Sequence, residues 1–230
     1  MILPAGLSLT EDANGLCLTD GKMTMRGDLS KMIPRIKRGV VGTELLVRAA
    51  RLKDMSGTPT LIDATAGMGE DSLLLAAAGF NVILYEYNPV IAALLKDSLL
   101  RAARIPELAD AVSRMSVAEG DSAEYMRTLR SAAHEDSSPS SVNDRLPDVI
   151  YLDPMFPESG KNALIKKKFQ LLRQLELPCS NEEELLEAAV AAGPHKIVIK
   201  RPIKGPYLAG RKPSYSIEGK AVRYDCLIFA

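Results

Sequence analysis

Tryptophan is absent, only two histidines are present, and no apolar run approaches the length needed to cross a bilayer. His134 and His195 stand beside no Ser or Cys motif, so hydrolase chemistry of the triad type has little support. Three cysteines, Cys17, Cys179 and Cys226, lack metal-ligand or redox spacing, and their odd number argues against a disulfide framework. The chain does not open on a basic stretch followed by an apolar signal segment, and a cytoplasmic location is expected.

What is present is enough for one substantial core. At 230 residues and 47% hydrophobic content, the expectation is a small N-terminal lobe and lead-in helix over 1–53, followed by a main domain over 54–230. Formal net charge is zero but unevenly spread. Met1 to Lys53 holds nine basic and five acidic residues, Asp54 to Ser159 seven and seventeen, and Gly160 to Ala230 thirteen and seven. Basic ends flanking an acidic middle could form a face for a phosphate backbone, although such blocks are more often solvated surface.

The most informative stretch runs from Thr60 to Tyr87. An apolar run ends in Asp63, glycines follow at 67 and 69, a helical pattern covers Ser72 to Ala78, and a second apolar run ends in Glu86. Glycines there allow a tight turn and let a ligand lie against bare backbone. Glu86 comes nineteen positions after Gly67, near the spacing of about 20 at which an acidic residue reaches ribose hydroxyls. The third glycine of the dinucleotide fingerprint is replaced by Ser72, and Glu70 and Asp71 at the helix start would repel a diphosphate. Those features suit a compact cationic nucleoside such as S-adenosylmethionine better than a nicotinamide dinucleotide. Taken alone, the loop also reads as an ordinary turn with a solvated acidic helix start.

Elsewhere the pattern predicts two or three short strands before Arg38, then a helix capped by Thr43 and reaching Leu52. Pro89 opens a helix extending to Arg104, and Arg114 to Ala118 fits a strand. Asp121, just past that strand and followed by Ser122, could accept an adenine amine or could simply cap a helix. Ser131 to Pro147 reads as a surface loop. A helix from Ala163 to about Leu175 turns Lys166 and Lys167 outward, and Asn181 with Glu184 forms a capping box. A strand from His195 to Ile199 leads to Lys200 and Arg201, read as leaving its end, and Val222 to Phe229 supplies a last strand. Alternating strands and helices predict an α/β, doubly wound, mostly parallel sheet. Ligands of such sheets bind at strand carboxyl ends, where Asp63, Glu86, Asp121 and Asp153 fall.

The second informative stretch is Asp153-Pro-Met-Phe-Pro157. An exocyclic base amine is a weak nucleophile, and acceptors that take its N–H bonds can hold its nitrogen toward a methyl donor. Asp153 and the Pro154 carbonyl supply such acceptors, and Phe156 offers a stacking face for a flipped base. On its own this is equally a proline turn with Phe156 in the core.

Together, Asp63-Ala-Thr-Ala-Gly-Met-Gly69, Glu86-Tyr-Asn-Pro-Val-Ile-Ala-Ala-Leu-Leu95, Tyr151-Leu-Asp-Pro-Met-Phe-Pro157, Ala163-Leu-Ile-Lys-Lys167 and Val198-Ile-Lys-Arg-Pro202 resemble the RsmJ family of bacterial methyltransferases. The resemblance implies the class I (Rossmann-like) methyltransferase fold, a mostly parallel sheet with an antiparallel C-terminal strand, and methyl transfer from S-adenosyl-L-methionine to a guanine N2 of 16S ribosomal RNA, free or in the small ribosomal subunit. It implies cofactor contacts at Glu70, Asp71, Glu86, Tyr87, Asp121, Ser122 and Asp153, beside Asp63, Gly67 and Gly69 of the loop. Asp153, Pro154 and Phe156 are the candidate catalytic residues, Lys166, Lys167, Lys200 and Arg201 the candidate RNA contacts, and no metal is expected. The chain departs from the family pattern at Gly42, where an arginine is usual, and at Glu70, where a basic residue is common. A nicotinamide oxidoreductase, an RNA-binding protein without activity, and transfer to a DNA adenine or protein amide are the alternatives.

Overall fold

The structure, a computed structural model, describes residues 3–53, 57–132, 146–154, 171, 174–175 and 181–229. The strands are β1 (Ser8–Asp12), β2 (Gly15–Thr19), β3 (Thr24–Met25), β4 (Thr60–Asp63), β5 (Asn81–Glu86), β6 (Met115–Glu119), β7 (Val149–Leu152), β8 (Lys196–Pro202), β9 (Tyr215–Glu218) and β10 (Val222–Ile228). The helices are α1 (Ile33–Ile36), α2 (Leu45–Ala50), α3 (Glu70–Ala77), α4 (Pro89–Ala102), α5 (Pro106–Val112), α6 (Ser122–Ala132) and α7 (Glu182–Ala191).

Seven strands form the central sheet in the order β6-β5-β4-β7-β8-β10-β9. The first five run parallel, and β10 pairs antiparallel with both β8 and β9. The chain builds outward from β4 to β6, then returns to the other side of β4 as β7. In sheets wound this way ligands bind outside the carboxyl ends of the strands at that reversal, here β4 and β7.

Strand alternation divides the core cleanly. Leu61, Val82, Leu84, Val149, Tyr151, Val198, Tyr224 and Cys226 face one layer, packed with residues of α2, α3, α4 and α5. Ile62, Ile83, Tyr85, Ile150, Leu152, Ile197, Ile199 and Leu227 face the other, under α6 and α7. Burial on both faces explains why these strands read as continuous apolar runs. The N-terminal strands β1 to β3 form their own antiparallel sheet, whose Leu7, Leu18 and Met25 pack on Val90, Ile91 and Leu94 of α4.

Several local expectations change. The helix expected at Thr43 begins at Leu45 and ends at Ala50; Glu44 holds the cap position, and its carboxylate is spent on Arg35 at 2.8 and 2.7 Å. The helix from Pro89 stops at Ala102, and Pro106 starts α5, which periodicity had not separated. β9 lies within 203–220, a glycine- and proline-punctuated stretch that reads as loop from sequence, and it forms a short antiparallel hairpin with β10. β8 runs on to Pro202, so Lys200 and Arg201 are strand residues. The helix expected over 163–175 falls almost wholly outside the described residues.

Candidate active site

Five charged side chains line one edge of the sheet. In spatial order they are Asp121 after β6, Glu86 ending β5, Asp63 ending β4, Asp153 after β7 and Lys200 in β8. Tyr224 of β10 stands opposite Lys200 in register, so six adjacent strands contribute to the row.

The glycine loop is held by this row. Gly67 has φ +53° and Gly69 φ +78°, both left-handed, and the Gly69 N–H bonds to the Ala66 carbonyl at 2.9 Å. The Gly67 N–H donates to Oε2 of Glu86 at 2.9 Å, while Oε1 accepts the Asn88 N–H at 2.8 Å. Among the described residues a Cβ built on Gly67 would meet nothing within 4 Å, whereas one on Gly69 would strike Leu95 Cδ1 at 2.7 Å. Gly67 therefore opens on free space, and Gly69 is dictated by packing.

Asp63 lies beneath the loop, 1% exposed. Its carboxylate accepts the Ser72 hydroxyl and, at 3.1 Å, the Thr65 N–H. Burial outweighs these bonds and pushes its carboxyl up to about 7, with Asp71 and Asp153 adding repulsion. Ser72, which displaced the third fingerprint glycine, thus anchors the acid at the end of β4. Asp63 is a support for the loop; among described residues it presents almost no surface to a ligand.

Asp153 is positioned from two sides. Its N–H donates to Thr65 Oγ1 at 2.7 Å, so the turn after β7 is tied to the loop after β4. Its Oδ2 accepts Lys200 Nζ at 2.8 Å, and the same ammonium reaches Asp71 Oδ2 at 2.8 Å. The Tyr151 hydroxyl donates to that Asp71 oxygen at 2.7 Å. Burial raises the Asp153 carboxyl, and the Lys200 charge opposes it. Burial would lower Lys200, but Asp71 and Asp153 more than reverse this and raise it.

The sequence-predicted residues divide accordingly. Asp63, Gly67, Gly69, Asp71, Glu86 and Asp153 come together, with Pro154 buried behind them. Glu70 is exposed in the first turn of α3, and Tyr87 is 73% exposed beside Glu86. Asp121 caps α6, its Oδ1 accepting the Ala123 N–H at 2.8 Å, and Ser122 is buried. Arg201 is a correction: it is 1% exposed, bonded to the Pro206 carbonyl at 2.8 Å and to Glu182 at 3.2 Å. Alternation along β8 sends it under α7, to the buried face opposite Lys200. Lys200 is likewise spent on two carboxylates instead of pointing at solvent. Phe156, Lys166 and Lys167 lie outside the described residues.

Sequence reasoning missed Thr65, Ser72 and Tyr151 as parts of the site. Thr65 was visible as the hydroxyl inside Asp63-Ala-Thr-Ala-Gly67, but its partner lies 88 residues away.

Comparison with known proteins agrees with this geometry. Residues 10–229 match the family model described as "Putative SAM-dependent methyltransferase". The chain is 43% identical over 186 residues to the ribosomal RNA small subunit methyltransferase J of Thioalkalivibrio sulfidiphilus, covering 81% of this chain and 68% of that one. It is 37% identical over 226 residues to the protein of that name from Marinobacter nauticus, covering 96% and 77%. Against the Pseudomonas aeruginosa protein of the same name it is 45% identical over 73% of this chain, and spans 59% of that relative's length. The crystal structure of a SAM-dependent methyltransferase from Neisseria gonorrhoeae superposes with a TM-score of 0.74 at 30% identity, covering 99% of this chain and 85% of that one.

Proposed function

The chain belongs to the ribosomal RNA small subunit methyltransferase J family, and from that membership we propose that it methylates the exocyclic N2 of a guanine in 16S ribosomal RNA. The observation that carries the reading is the row of Asp121, Glu86, Asp63 and Asp153 on adjacent strand ends, with the open face of Gly67 among them.

The residues fit a sulfonium nucleoside. Gly67 leaves room that a Cβ would fill, and the lining carries acids without a phosphate-binding cation at the loop. Glu86, whose carboxylate also takes the Gly67 and Asn88 N–H groups, would face the ribose hydroxyls at the end of β5, and Tyr87 would lay its exposed ring nearby. Asp121, whose Oδ1 serves α6, would offer its other oxygen to the adenine amine, with Glu70 and Ser122 at the margins. S-adenosylmethionine would supply the methyl group as an electrophile on a positively charged sulfur.

The chain's own work is to present the amine. Asp153 accepts a guanine N2–H, turning the nitrogen lone pair outward, and the Pro154 carbonyl takes the second N–H. The amine becomes acidic as its new bond forms, and the Asp153 carboxylate receives the departing proton before water carries it away. Phe156 would stack on the base, while Lys166 and Lys167 would contact the phosphate backbone.

The test is incubation of 16S RNA, and of small subunits from a strain lacking the gene, with labelled S-adenosylmethionine, followed by mapping of the methylated nucleotide. Label on a guanine N2 is the expected result. Label on DNA adenine or on protein alone would replace the substrate, and no label on any polymer would remove the reading.

A further inference from the structure

The residues around Lys200 do not resemble a phosphate-binding lysine. A lysine that grips RNA keeps its ammonium in solvent and pays little to be charged. Here the side chain is 25% exposed, and its ammonium lies 2.8 Å from both Asp71 Oδ2 and Asp153 Oδ2. Asp71 is itself fixed by the Tyr151 hydroxyl at 2.7 Å, and Tyr151 is 1% exposed in β7. The ammonium is thus anchored from α3 and β7, and it leans on one oxygen of the acid that presents the amine.

We propose that Lys200 is a positioning residue for methyl transfer: with Asp71 and Tyr151 it clamps Oδ2 of Asp153 and leaves Oδ1 to accept the guanine amine. The inference rests on the reading of Asp153 as that acceptor.

The surrounding charges explain why a cation is required. Asp71 of α3 crowds Asp153 with negative charge, Asp63 of β4 adds to it only as it ionises near pH 7, the Tyr151 hydroxyl of β7 lies close to Asp71, and Tyr224 of β10 shares the face. Lys200 and the more distant Arg201 of β8 are the opposing positive charges. Burial favours the protonated acid, and a protonated Asp153 would confront an amine N–H with its own O–H. The ammonium opposes that proton and favours the carboxylate as acceptor. The clamp also stops the carboxylate rotating, so the amine meets one oxygen in one place.

Lys200→Met, Lys200→Arg and Asp71→Asn test this, each first checked for a wild-type thermal unfolding transition. Two readouts are needed. In cofactor-free protein, carbon-13 NMR should show the Asp153 carboxyl titrating about one unit or more higher in Lys200→Met than in wild type, with Lys200→Arg in between. In RNA methylation, Lys200→Met should lose about 100-fold in kcat, with KM for RNA within about threefold of wild type. The pH at which its rate half-recovers should rise, and Lys200→Arg should restore part of the rate. Asp71→Asn should fall between wild type and Lys200→Met, since it loosens the anchor and keeps the ammonium. An unmoved Asp153 titration would overturn the clamp. So would a raised KM for RNA at unchanged kcat with a flatter salt dependence, the signature of a phosphate contact. If wild type fails to methylate RNA while Asp153 shifts as stated, the functional reading fails and the clamp itself stands.

Discussion

The oxygen atoms of Asp63 show how much the site asks of single residues. This acid is fully enclosed, and its ordinary carboxyl value of 3.8 is pushed to about 7 by burial. Between those values the folded protein keeps a proton that the unfolded chain has lost. Asp63 therefore favours the fold fully below about pH 4, and this contribution disappears as pH rises through 7. Asp63→Asn removes that titration, so the stability of wild type relative to the variant should fall by at least about 1 kcal/mol between pH 4 and pH 8. Urea unfolding of both proteins across that range measures the difference; a flat difference would show an acid that stays ionised. The two loop glycines separate in the same way. Gly69→Ala should cost about 2 kcal/mol or more, from a left-handed φ and the collision with Leu95. Gly67→Ala meets no protein atom, so it should lose only the smaller backbone term while weakening S-adenosylmethionine binding about tenfold. Calorimetric titration alongside thermal unfolding would distinguish the two.

At the scale of elements, alternation along the strands decides which side chains reach the site. β8 read correctly as an apolar strand from His195 to Ile199, yet its polar end was taken for a departing loop. Because pairing with β10 continues to Pro202, parity places Lys200 on the α3 face and Arg201 beneath α7. Neighbouring basic residues thereby take opposite roles, a distinction available only once the strand's length is known. The same strand begins with Lys196, 5% exposed, whose ammonium bonds the Ala49 carbonyl at 3.0 Å and the Arg51 carbonyl. These are carbonyls left over at the end of α2, so Lys196 fastens that helix to the sheet. Lys196→Met should cost about 2 kcal/mol in urea unfolding and leave S-adenosylmethionine affinity unchanged, because Lys196 opens β8, three strands from β5 and at the opposite strand end from Glu86. Capping boxes and proline starts were legible because they are local: Asn181 and Glu184 pair as their spacing implies, at 3.0 Å. β9 was not legible, local hairpin though it is, since its four residues sit in a run broken by glycine and proline.

For the whole molecule, the sheet order brings residues 63, 86, 121, 153 and 200 to one edge although the chain separates the outermost by well over half its length. Two motifs carried the family and the fold because each lies at the carboxyl end of a strand in β4–β7 register, where the topology reverses. What could not be read was the wiring between them, since Thr65 to Asp153 and Lys200 to Asp71 are contacts across 88 and 129 residues. The central claim is that this single edge both holds the methyl donor and presents the amine, with Asp153 acting on the amine. Its most direct measurement is single-turnover methylation of 16S RNA by Asp153→Ala at saturating S-adenosylmethionine, with cofactor affinity followed by calorimetry. The account predicts a rate at least about 100-fold below wild type with affinity held within about threefold. An Asp153→Ala protein that methylates RNA at the wild-type rate would contradict it.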